Sequence, residues 1–165
     1  MGSSEHEIRR AGSGAQEPPE RWRYARHLVA LAAASGEAAE AAAVAVVLRD
    51  PDPVMAESAV VTHLDRRAVR LLADAGFPAW ARAMETALHG RPFASRRLRE
   101  WTLLKAIGAD EPWSAADLTA ASDWCQRTAA QTVSSYEALG VLAASARTQR
   151  VRAVAARRLR GRAGV

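Results

Sequence analysis

Cysteine and lysine each occur once in the 165 residues, and isoleucine, phenylalanine and tyrosine occur twice each. The single thiol, Cys125, excludes an intramolecular disulfide and a cysteine-based zinc site. The histidines, His6, His27, His63 and His89, are scattered, and none has a second His or Cys three or four residues on, so no metal-ligand pattern is present. No apolar run approaches the ~18 residues needed to cross a bilayer. The opening residues lack the apolar core of a signal peptide. "MGSSEH" puts His6 where a myristoylation motif wants Ser or Thr. These absences describe a cytoplasmic, reduced protein with no membrane association. Nothing in the sequence indicates an enzyme, a cofactor or a small-molecule substrate: there is no GxSxG, and the one "GSG", at 12–14, follows no strand.

Alanine dominates what is present. It has the highest helix propensity and loses no side-chain entropy. Strand-favouring β-branched and aromatic residues are few beyond some valines and five tryptophans, and no segment alternates like a strand. The fold expected is all-α, with helices in close approach. The net charge is +5, and Lys105 is the one basic residue besides His that is not arginine. A high-GC bacterial genome produces the same Arg/Ala bias, so only part of the basic signal is functional.

Residues 1–19 are rich in Gly, Ser, Glu and Pro, with Ile8 as the one large aliphatic beyond the start, and read as a disordered tail. Residues 20–165 read as about seven or eight helices in one domain. Gly36, Gly76, Gly90 and Gly108 punctuate them. Asp52 with Pro53, Ser114 with Asp117, and Ser134 with Glu137 are candidate helix starts. One helix is expected across 114–131, and a short one before Gly76.

The segment "RTQRVRAVAARRLRGR" (147–162) carries seven arginines and no acid. Val151, Val154, Ala155 and Leu159 fall on one helical face, and Arg150, Arg152, Arg157 and Arg160 point elsewhere. Ala56, Ala59, Val60 and Leu64 take the same register in "PVMAESAVVTHL". Each helix follows an Ala/Val-rich helix and a tight polar turn. That is a repeated helix–turn–helix unit, and such units bury their apolar faces by stacking. "VVLRDPDPVMAESAVVTHL" and "LAASARTQRVRAVAARRL" resemble HEAT repeats, in the turn Asp50–Pro53 and in Val151, Arg152, Ala153, Ala155, Ala156 and Leu159. Met55 and Ala56 depart from the family's Val-Arg pair, and the middle region 69–133 matches only as helices of suitable length. The resemblance implies a short, right-handed solenoid. An irregular helical bundle is the alternative.

Such a fold implies a non-catalytic scaffold or adaptor for another protein, one with an acidic surface. The candidate contact residues are Arg96, Arg97, Arg150, Arg152, Arg157, Arg158 and Arg160, with His63. His63 and Arg158 occupy matching positions where a small apolar residue is usual. Either each snorkels outward, or both line a shared groove. The alternative function is sequence-independent nucleic-acid binding through arginine–phosphate contacts. The tryptophans at 80, 101, 113 and 124 are read as core. "SDWCQR" (Asp123, Trp124) lacks the fuller pattern of the base-excision glycosylases built on related repeats.

Overall fold

The computed structural model describes residues 19–163, and the tail expectation for 1–19 lies almost wholly outside them. Among the described residues there are nine helices and no strand. They are α1 (Glu20–Ala33), α2 (Glu37–Val47), α3 (Pro53–Leu71), α4 (Phe77–Ala87), α5 (Pro92–Gly108), α6 (Ala115–Ala120), α7 (Asp123–Thr132), α8 (Tyr136–Ser145) and α9 (Gln149–Ala163).

Local chemistry sets most of the boundaries. Asp52 Oδ1 accepts from Met55 N at 3.0 Å, and Pro53 opens α3 with a fixed φ. Ser114 Oγ accepts from Asp117 N at 3.3 Å. Four expectations are corrected. The helix expected across 114–131 is two, because extended Ala121 breaks it and Ser122 Oγ caps α7 through Cys125 N at 3.2 Å. Among the described residues the helices number nine, against about seven or eight expected. The short helix before Gly76 is absent: α3 runs on to Leu71, and Asp74 then closes a turn onto Gly76 N at 2.6 Å. Ser135, not Ser134, caps α8 through Ala138 N. Gly36 opens α2 rather than closing α1, with φ of 87°, a left-handed value suited to glycine.

The odd helices pack as one continuous series, the even helices as two pairs, and α8 also packs on α9. α1 packs on α3, α3 on α5, α5 on α7 and α7 on α9; α2 packs on α4 and α6 on α8. Within the odd series each helix fixes the turn that leads into the next. His27 of α1 binds Asp50 at 2.8 Å, and Asp50 Oδ1 accepts from Asp52 N. Glu57 of α3 accepts from Ala94 N in the first turn of α5. Glu100 of α5 accepts from Ser122 N, just before α7. Gln126 of α7 accepts from Arg147 N, just before α9. Backbone N–H groups at a helix entry have no partner inside the helix. Here a side chain from the helix stacked beneath supplies one directly three times, and at α3 His27 holds the Asp50 carboxylate that does so.

Between the odd and even helices lies one apolar core. Its bulk comes from Phe77, Trp80, Leu31, Leu64, Met84 and Leu118, and its tight approaches from Ala56, Ala59, Ala68, Ala94, Ala129 and Ala155, all at or within 1% of zero exposure. Phe77 and Trp80 meet with ring centroids 5.4 Å apart. The register read from the sequence holds: Ala56, Ala59, Val60 and Leu64 are fully buried, Val151 and Ala155 are buried, and Val154 and Leu159 are half-buried. At such positions added volume has nowhere to go. Ala59→Leu is therefore expected to cost about 1–3 kcal/mol through overpacking. Urea unfolding followed by circular dichroism checks this.

Candidate binding surface

Charge separates with helix parity. The odd helices carry seventeen basic residues (three in α1, three in α3, four in α5, one in α7, six in α9) against five acids, a net of +12. The even helices carry one basic residue, Arg82, against five acids, a net of −4. All eight candidate contact residues fall in the odd series: His63 on α3, Arg96 and Arg97 on α5, and the other five arginines on α9. α7 stands between α5 and α9, so the two arginine clusters share a layer without direct packing.

The eight divide by local environment. Arg96, Arg150, Arg157 and Arg160 are exposed and make no ion pair or hydrogen bond among the described residues. Arg97 is held on three sides. Its Nη1 donates to Asp65 Oδ2 at 2.7 Å, its Nε lies 3.9 Å from Glu100, and its guanidinium sits 3.6 Å above the Trp124 ring. Arg152 Nη1 donates to the Ala146 carbonyl at 2.5 Å, and Arg158 Nη1 donates to the Ala130 carbonyl near the end of α7 at 2.9 Å. Those carbonyls lack helical partners, so both arginines act as C-terminal caps.

His63 neither snorkels outward nor shares a groove with Arg158, from which α5 and α7 separate it. It is 8% exposed, and its Nε2 donates to Glu40 Oε1 at 2.7 Å. Glu40, on α2, is 1% exposed and receives two more donors, Trp80 Nε1 at 2.8 Å and Arg67 Nε at 3.1 Å. Burial raises the Glu40 pKa, but the hydrogen bonds from His63, Trp80 and Arg67 outweigh it and hold the carboxyl below its ordinary value. The cluster ties α2, α3 and α4 together. Sequence reasoning missed it, because Glu40 lies 23 residues from His63 and 40 from Trp80. The one available signal was a glutamate in an otherwise apolar helix.

Two further ionisable groups are settled by their surroundings. Asp50 is held below the usual carboxylate range, first by the Asp52 N–H and then by His27 and Arg23 against the opposing effect of burial. Cys125 is fully buried, and burial with nearby Glu100 pushes its thiol up to about 12. A thiol that far from ionising is a core filler rather than a nucleophile. Among the described residues, no three His, Cys, Asp or Glu side chains come together as a metal site, and no helix is long and apolar enough to cross a membrane.

Trp80 and Trp101 are buried, and Trp113 and Trp124 are half-buried against the core. Trp101 donates from Nε1 to Asp65 at 2.7 Å and meets Trp124 edge-on at 5.2 Å. The exposed tryptophan is Trp22, at 59%. With Val29, Val54, Val69 and Phe93 it makes five of the seven exposed large apolar residues, all on odd helices. On each of α1, α3 and α5 such a residue has an exposed arginine one helical turn away: Trp22 with Arg26, Val69 with Arg66, Phe93 with Arg96. Between α7 and α9, Arg127 and Arg150 border a cleft of about 220 Å³ lined also by Val151 and Val154. No known family model, curated protein or solved structure matches this chain.

Proposed function

We propose that the protein is a non-catalytic HEAT-like scaffold whose odd-helix layer binds an acidic, amphipathic segment of another protein. The repeat reading draws support from the continuous stacking of the odd helices, from three direct side-chain braces between them and from the His27–Asp50 contact ahead of α3. Each unit of two helices leaves an apolar face that only its neighbours cover, as stacked repeats require.

The observation that carries the functional reading is the coincidence of two kinds of surface on one layer. The odd helices hold a net +12 and also five exposed large apolar residues. A duplex keeps its bases stacked inside and offers mainly phosphates, so a layer that binds a duplex makes little use of Trp22, Val69 or Phe93. A protein partner uses both. Arginine and tryptophan are the residues most enriched where protein interfaces concentrate their energy. Rigid stacked helices also lose little conformational entropy on binding. Cytoplasmic residence fits a chain with one buried thiol and no disulfide.

The nucleic-acid reading keeps one observation in its favour, the charge itself, and makes a different prediction. The test pairs Trp22→Ala with Phe93→Ala and measures anisotropy of a labelled Glu/Leu amphipathic peptide and of a labelled duplex. Both residues are exposed, so unfolding midpoints are expected to stay put. The double variant is expected to bind the peptide at least tenfold more weakly, about 1.4 kcal/mol, and the duplex unchanged. Equal peptide binding by wild type and variant would contradict the apolar half of the proposal.

A further inference from the structure

The second half of α3 lines a cavity of about 370 Å³ beside the α1–α2 turn. Its wall includes Leu28 of α1, Glu40 of α2, and His63, Arg66, Arg67 and Arg70 of α3. That volume falls at the lower end of the range for small-molecule sites, roughly 300–1,000 Å³.

The charges around it do not balance. Glu40 is the one acid in the wall, and its two oxygens already accept from His63, Trp80 and Arg67. Arg67 is thereby committed to Glu40. Arg66 and Arg70 are exposed and pair with no carboxylate among the described residues. Asp74, the next acid along, is turned to Gly76 N. Arg66 and Arg70 are four apart on one helix, where like charges repel. The helix dipole favours a cation in the last turn of α3, which holds Arg70 but not Arg66. Two guanidiniums at a concave surface, with the local carboxylate already engaged by three donors, leave an excess of positive charge and several N–H donors of the kind that bind oxyanions. Leu28 adds an apolar wall beside them.

We propose that this cavity binds a small phosphate monoester, its phosphate held by Arg66 and Arg70 and its apolar body laid against Leu28. The site shares Arg66 with the odd-helix layer but uses none of the α9 arginines, so the α9 control below separates its failure from that of the partner-binding reading.

The test uses the full chain, with inorganic phosphate and phenyl phosphate as probes and chloride holding the ionic strength constant. Amide chemical shifts of Gly36 and residues 66–70 are expected to move saturably with either probe, and phenyl phosphate is expected to bind at least tenfold more tightly. Phosphate is also expected to raise the wild-type Tm above that in matched chloride, a readout that needs no variant. Arg66→Gln with Arg70→Gln is expected to lower phosphate affinity at least tenfold while keeping the helical circular dichroism. Arg157→Gln with Arg160→Gln on α9 is expected to leave it unchanged. Overturning results are an absence of saturable shifts in wild type, equal phosphate affinity in the α3 double variant, or equal loss in the α9 control. Phenyl phosphate binding no tighter than phosphate would overturn the role given to Leu28.

Discussion

Glu40→Ala is expected to destabilise the protein by about 3–5 kcal/mol, the cost typical of removing one partner from a buried charge cluster. The change strands three donors at once: the His63 ring, the Trp80 indole N–H and the Arg67 guanidinium. Trp80 and His63 are buried, so water cannot readily replace the lost acceptor. Urea unfolding of the two proteins at neutral pH measures the difference. A pH series adds an independent check. The Glu40 carboxyl is held below its ordinary value of 4.5 in the folded protein. A carboxyl depressed in this way contributes stability that is present above its unfolded pKa and lost as pH falls through its folded pKa. The wild-type urea midpoint is therefore expected to drop as pH falls below about 4.5. Glu40→Gln is expected to show a shallower drop, the remainder coming from Asp50, which is depressed by its own hydrogen bonds. Parallel acid profiles for the two proteins would refute this role for Glu40.

The triple reversal Arg150→Glu, Arg157→Glu, Arg160→Glu is expected to weaken binding of an acidic partner about a hundredfold, close to 3 kcal/mol. Each reversal changes the charge by two, so the three take the chain from +5 to −1. The loss is expected mainly in the association rate, because charge at an exposed surface steers encounter. The three side chains are exposed and make no internal ion pair or hydrogen bond among the described residues. The unfolding midpoint is therefore expected to move by less than about 0.5 kcal/mol per site. Arg97, Arg152 and Arg158 behave differently. Their guanidiniums hold Asp65, the Ala146 carbonyl and the Ala130 carbonyl, so reversing them would confound folding with binding. Stopped-flow association with a labelled acidic peptide separates the two effects.

Much of the fold was legible because it is written locally. Alanine content excluded strands, Asp52 and Ser114 announced their caps, and the spacing of Val151, Ala155 and Leu159 marked the inward face of α9. The break between α6 and α7 was hidden, because neither Gly nor Pro marks it and Ser122 reads equally well inside a helix. Gly36 was assigned to the wrong helix for a related reason: glycine with positive φ serves either end.

The binding surface was less legible, for a different reason. Sequence spacing says which residues share a helical face but not which helices share a layer. The arginine runs near 96 and 150 were visible. That they belong with Arg26 and Arg66, and that the acids of α2, α4, α6 and α8 lie outside that series, follows only from the packing. His63 was singled out correctly as an unusual residue and read with the wrong surroundings, since its partner comes from another helix. Nothing in the sequence sets Trp22, exposed on α1, apart from the four tryptophans of the middle region, all of which pack in or against the core.

The most direct test of the central claim is a salt titration of two probes against the wild-type protein, by fluorescence anisotropy. One is the Glu/Leu amphipathic peptide and the other a random-sequence duplex, each measured from about 50 to 200 mM salt, the range over which phosphate-driven binding falls steeply. The account predicts that the peptide loses only the part of its affinity that charge supplies and stays bound through apolar contacts that salt does not screen, while any duplex binding falls away. A duplex bound more tightly than the peptide throughout, with log affinity falling linearly in log salt for both, would contradict it and assign the layer to phosphates.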